Sequence, residues 1–364
     1  MKPKQKIDLL VYNATIYTVD NNFSKAEALA INKGKIIATG KSKELQKIYK
    51  AKENLDAKGK YIFPGFTDAH AHFFGYGLGL QKADLAGTTS WNDVLDKLKS
   101  FAQTHKEGWI TGRGWDQNNW AVKEFPTNEK LNKLFPDRPV MLTRVDGHAA
   151  IANKKALEIS NVKSGEKVEG GEVEIKKGKL TGILIDNAMN LVSSQMPAPT
   201  QSQLKVALLA AQKNCFAVGL TTIDDCGLDY ESALFVDLLQ KNNELKMRMF
   251  IMMSDNKKNY DYLFANGKIK TERLNVCSFK LFSDGALGSR GAALLKPYSD
   301  KPGWNGLILK PEEHFDNAAK IISQHGFQMC THAIGDAANR MMLKIYAKYL
   351  KGENDQRWRI EHAQ

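Results

Sequence analysis

From residue 204 onward the chain alternates brief apolar strands with long helical periods, and this constrains its fold more than any other feature. Residues 204–218 read as a helix, 221–225 as a strand, 232–242 as a helix and 247–253 as a strand. Residues 276–282 then read as a strand, 311–325 as a helix, 327–332 as a strand, 336–349 as a helix and 358–362 as a strand. Parallel strands need crossovers long enough to hold a helix, so this alternation predicts a parallel sheet or barrel.

The first part of the chain has a different rhythm. Residues 7–12, 15–18, 28–31, 35–39 and 61–63 are short β segments, punctuated by Asn13, Asn21, Asn22, Gly34 and Gly40 as turn residues. They predict a small β-sandwich module over 1–63, with the β/α barrel section beginning at Pro64 and running through 64–364. Residues of about 75–200, with Trp91, Trp109, Trp115, Trp120 and a Gly/Lys-rich stretch at 164–179, read as irregular insertions at the barrel rim. Within that block, 149–157 is expected to be a helix.

Composition excludes several classes. A chain of 364 residues, 43% hydrophobic and 25% charged, is neither a disordered tail nor a disulfide miniprotein. Its net charge of +12 raises the question of nucleic acid. The lysines, however, are scattered singly along amphipathic segments (Lys97, Lys99, Lys130, Lys133, Lys344, Lys348), which describes a solvated surface and predicts no nucleic-acid partner. No stretch reaches the ~18 apolar residues of a membrane span, and no apolar core follows the basic start, so a cytoplasmic location is the default expectation. Cys215, Cys226, Cys277 and Cys330 show no CxxC spacing and are expected to be buried and reduced.

The histidines carry the chemistry. Phe63-Pro-Gly-Phe-Thr-Asp-Ala-His-Ala-His72 sets His70 and His72 two apart at a strand end, where the period of two turns both rings to one face. His332 and His362 end two later strands, and four histidines at three C-terminal strand ends converge at the top of a β/α barrel. In the same reading Trp358, Ile360 and His362 share one face of the last strand. Lys280 lies inside an apolar strand, where an ammonium is costly to bury, so it must lose its charge, pair with Asp284, or be modified by CO2.

Together with Asp284-Gly-Ala-Leu-Gly-Ser-Arg290, Thr331-His-Ala-Ile-Gly-Asp-Ala-Ala338 and Arg359-Ile-Glu-His-Ala363, these residues resemble the metal-dependent amidohydrolase superfamily, in the branch around N-substituted formamide deformylase. Gly112-Arg-Gly-Trp-Asp116 and Asp146-Gly-His148 add to the likeness. The resemblance implies an α/β fold, a (β/α)8 TIM-like barrel of which only about six strands are present in this chain, beside the small N-terminal module. It implies one or two divalent ions, zinc by expectation, held by His70, His72, Lys280, His332 and His362, with Lys280 matching a bridging lysine that is carbamylated in many members. Substrate contacts fall to Trp115, Asp116, His148, Asp284 and Arg290, and the reaction is hydrolysis of a non-peptide C–N bond in a small molecule. The catalytic aspartate of the family's eighth strand is expected beyond Gln364, with this chain matching roughly the first two thirds of a longer enzyme. Such a chain is expected to leave strand edges open, and so to be either insoluble and inactive or completed by a second polypeptide or by residues beyond Gln364. Homo-oligomerisation stays open, as do an inactive or purely binding protein on the same barrel.

Overall fold

The computed structural model describes residues 3–145, 147, 149–168, 171–186, 188–287 and 291–364, with the backbone alone at Asp186. The chain divides into two compact units, residues 1–69 with 215–224 and residues 70–214 with 225–364.

The first unit carries two sheets. Strand Gln5–Tyr12 pairs antiparallel with Ala28–Asn32, which pairs with Lys35–Gly40, and parallel with Tyr49–Asp56. Thr15–Tyr17, Lys25–Ala26 and Tyr61–Ile62 make a three-stranded sheet. Ile7, Leu10, Ala28, Ala30 and Leu45 fill one core, and Val11, Ala14, Ile16 and Leu29 fill another. Asn13 and Gly34 sit at positive φ, 55° and 72°, as their role in turns requires. Helix Ser42–Ile48 and strand Tyr49–Asp56 were not expected from sequence. The strand's polar YKAKENLD sequence hides its pairing, because most of its side chains face solvent.

The second unit holds a six-stranded sheet in the order Gly171–Lys176, Lys179–Asp186, Ala149–Ala152, Val140–Arg144, Ile110–Trp115, Ala83–Asp84. The block read as irregular is therefore regular. Ala149–Ala152 is a strand and not part of a helix, the helix being confined to Lys154–Ile159. Its four residues are all buried between Val140–Arg144 and Lys179–Asp186, a setting that favours ladder hydrogen bonds over helix propensity.

The other sheet bears the strands of the βα alternation: β1 (Phe66–Ala71), β2 (Leu220–Leu228), β3 (Arg248–Ser254), β4 (Leu274–Phe282), β5 (Gln328–Ala333) and β6 (Arg359–His362), in the order β6-β5-β4-β3-β2-β1. A short seventh strand, Ile269–Lys270, adds antiparallel to β4. The β3–β4, β4–β5 and β5–β6 pairs are parallel. Helix α1 (Phe73–Gly79) follows β1, and α2 (Gln201–Ala217) precedes β2. Helices α3 (Tyr230–Lys241), α4 (Lys257–Asn266), α5 (Glu312–Gln324) and α6 (Asp336–Tyr349) punctuate the later strands. Helix α5 buries Phe315, Ala318, Ala319 and Ile322, one helical stripe, and each large apolar side chain so buried contributes about 1.5–3 kcal/mol. Although β1 and β6 are opposite ends of the strand order, His70 on β1 contacts Glu361 on β6, so the parallel-strand sheet curls into a nearly closed barrel.

Candidate metal and active site

Strand ends deliver the four histidines. His70 belongs to β1, and His72, just past its end, occupies the position before α1 without a side-chain capping bond, the two rings lying edge-on with centroids 5.8 Å apart. The His362 ring is 4.4 Å from that of His70 and 4.7 Å from that of His332, so His72, His70, His362 and His332 form a continuous chain of imidazoles. Register places Lys280 level with Ser254 on β3 and Cys330 on β5, and His332 level with Phe282 and Glu361.

That register corrects the expected parity of the last strand. Paired residues of neighbouring strands share a face, so Arg359 and Glu361, opposite Cys330 and His332, face the site. Trp358 turns the other way, its ring against Tyr346 of α6 and its Nε1 donating to the Phe327 carbonyl. His362 still joins the cluster because its backbone is left-handed, φ 75°, which breaks the strand alternation at its last residue.

Lys280 is wholly buried, and its Nζ has no hydrogen-bond partner among the described residues, lying 4.9 Å from the centroid of the Phe282 ring. It is not paired with Asp284. That carboxylate, itself buried, accepts from the backbone N–H groups of Ala293, Ile334 and Gly335. Burial lowers the pKa of Lys280 and therefore favours its neutral amine. Burial also lowers the pKa of His72, helped by His70 and Lys280, and pushes His362 down to about 4, helped by His70, His332 and Lys280. Neutral imidazole nitrogens are the form that binds a metal.

Glu361 and Cys226 escaped the sequence reading. Glu361 contacts Nδ1 of His70 and is held by Arg359; burial would raise its pKa, but these two partners outweigh it and the carboxylate stays ionised. The pattern Arg359-Ile-Glu361, charges two apart in a short strand beside apolar residues, was the available signal. Cys226, at the end of β2, has its sulfur within 4.8 Å of donor atoms of both His70 and Glu361, a spacing that suits co-ligands of one ion. Among the described residues, the ligand atoms in mutual reach are an imidazole nitrogen of His70, the thiol of Cys226 and a carboxylate oxygen of Glu361, a donor set that fits a divalent metal.

The expected substrate contacts have other partners. Trp115 is wholly buried in an apolar core with Leu85, Leu98 and Leu142, its Nε1 donating to the Leu142 carbonyl, so it offers no surface to a ligand. Asp116 caps a short 3-10 turn through the Asn118 N–H and pairs with Arg144. Asp284 is committed to its three backbone donors, with Nε2 of His332 3.4 Å away. His148 and Arg290 lie outside the described residues.

Residues 53–364 match the amidohydrolase family. The chain is 32% identical to Protein LONG AFTER FAR-RED 3 of Arabidopsis thaliana over 98% of its own length and 64% of that protein's. It is 30% identical to the putative amidohydrolase YtcJ of Bacillus subtilis, covering 96% of this chain and 67% of that one. A crystal structure of an uncharacterized metal-dependent hydrolase from Pyrococcus horikoshii superposes with a TM-score of 0.76 at 29% identity, over 93% of this chain and 68% of that one. The chain thus spans about two thirds of the length of these relatives. Because the family match covers residues 53–364, most of the chain, the chain belongs to the amidohydrolase family.

Proposed function

We propose that this protein hydrolyses a non-peptide, amide-type C–N bond of a small molecule at a divalent metal centre held by His70, His72, Lys280, His332 and His362. The observation that carries the reading is the convergence of four imidazoles near a fully buried lysine amine with no hydrogen-bond partner. The putative amidohydrolase YtcJ and, at 26% identity, N-substituted formamide deformylase of Arthrobacter pascens support the reaction class. The module of residues 1–63 and the barrel of 64–364 are the proposed domains, the barrel being of the (β/α)8 kind, and zinc suits the imidazole-rich donor set.

When bound, the metal supplies a Lewis acid for the scissile carbonyl and water acidified enough to be nucleophilic near neutral pH. The chain's residues prepare that chemistry. Glu361, fixed by Arg359, engages Nδ1 of His70 and leaves Nε2 as the ligating atom. Lys280, as the neutral amine that burial favours, is suited to attack CO2, forming an N–C bond and releasing a proton to leave an anionic carbamate. Asp284 ties the loop after β4 to the end of β5 and so sets the position of His332. With Trp115, Asp116 and Asp284 engaged in structural bonds, His148 and Arg290 are the proposed substrate contacts.

The test is metal analysis followed by turnover on a panel of N-formyl and N-acyl amines. Bound metal and hydrolysis abolished by His70→Ala and His362→Ala are expected; hydrolysis that survives both substitutions would overturn the reading.

A further inference from the structure

We propose that the sulfur of Cys226 is a ligand of the metal, sharing it with His70, so that the centre is a mixed thiolate–imidazole site. This rests on the metal-centre reading above and adds to it a soft, anionic donor that the histidine and lysine motifs do not contain.

The position argues for it. Cys226 is buried at the end of β2, and its sulfur accepts from the backbone N–H of Ala71, the residue between His70 and His72. Its Sγ, a ring nitrogen of His70 and a carboxylate oxygen of Glu361 lie mutually within 4.8 Å. The wholly buried Nζ of Lys280, which has no hydrogen-bond partner among the described residues, belongs to the same neighbourhood, as the geometry of the residue after Cys226 shows. The next residue, Gly227, has φ 106°, a left-handed turn at the end of β2 that a side chain would strain, and a Cβ there would lie 3.9 Å from Cγ of Lys280.

The competing explanation is packing, since Cys226 touches the same small apolar cluster as Met252 and Cys330. Cys330 supplies the contrast. It is equally buried and level with Lys280 on β5, yet it is not in the triangle of ligating atoms. Buried thiols are common, whereas a thiol in mutual reach of an imidazole and a carboxylate beside an unpartnered amine is a ligand constellation. On binding, the S–H bond breaks, its proton leaves to solvent, and a sulfur–metal bond forms. The thiolate then gives the site an anionic ligand whether or not Lys280 carries CO2.

Zinc K-edge X-ray absorption on the zinc-loaded protein tests this without mutation. One sulfur at ~2.3 Å among nitrogen and oxygen ligands is expected, and a shell of nitrogen and oxygen alone at ~2.0–2.2 Å would overturn the proposal while leaving the metal centre intact. A protein that binds no zinc overturns both readings. In the cobalt(II)-loaded protein a near-ultraviolet thiolate-to-cobalt band is expected, lost in Cys226→Ser and kept in Cys330→Ser. A band that survives Cys226→Ser would assign the sulfur elsewhere and refute the proposal.

Discussion

At the scale of single residues, Lys280 is the most informative position. An amine with no accessible surface and no hydrogen-bond partner among the described residues costs stability, and the fold keeps it. Lys280→Met preserves length and removes the polar atom, so the metal-free variant is expected to be about 1–3 kcal/mol more stable than metal-free wild type. Its metal content should fall at the same time. Denaturant unfolding after chelation, with metal analysis beside it, checks both, and a variant that is less stable when metal-free contradicts the role given to this amine. Asp284→Asn would turn a donor toward backbone N–H groups that now share one carboxylate, with an expected loss of about 2–3 kcal/mol read from the same unfolding curves. Much of this was legible beforehand, since the histidine spacing at His70 and His72 and the solitary charge of Lys280 need only the period of a strand and the cost of burial. Glu361 was not, because counting alternation back from His362 assigns the wrong face. Only a left-handed backbone at that residue reconciles the two, and no local sequence signal demands it.

At the scale of elements, the end of β3 is tied to α5 by Asp255. Its carboxylate pairs with His314 at 2.7 Å and Lys310 at 3.0 Å and accepts from the Tyr260 hydroxyl of α4 at 2.8 Å. Burial opposes ionisation of Asp255, but these partners win and hold its pKa below 3.8. A depressed folded value means the contribution is fully present above the unfolded pKa and is lost as pH falls through the folded one. Asp255→Asn is therefore expected to cost about 1–3 kcal/mol at neutral pH and progressively less in acid. Thermal unfolding of both proteins across pH tests the trend, and a gap that widens in acid contradicts it. Elements with clean periods were readable from sequence, such as the α5 stripe and the apolar β3 and β4. Those missed had no such period: α4 with its polar, aromatic KKNYDYLFAN, the solvent-facing Tyr49–Asp56, and Ala149–Ala152, whose alanines favour helix until neighbouring strands claim their backbone.

For the whole molecule, the positive charge of +12 is scattered along the chain, whereas imidazoles, a thiol, a carboxylate and a buried amine gather at the strand ends. Metal that binds the folded chain and not the unfolded one stabilises it, by about 2.7 kcal/mol at a free concentration one hundredfold above Kd. Chelation is therefore expected to lower Tm and added zinc to restore it, as differential scanning calorimetry would show. The central claim, that the imidazoles of three strand ends and Lys280 hold one metal centre, is tested most directly by the metal content of the purified protein. Wild type should retain at least about one divalent ion per chain through gel filtration, and His70→Ala and His362→Ala, folded by circular dichroism, should lose it. Wild type without metal, or variants that keep the full complement, would contradict the account.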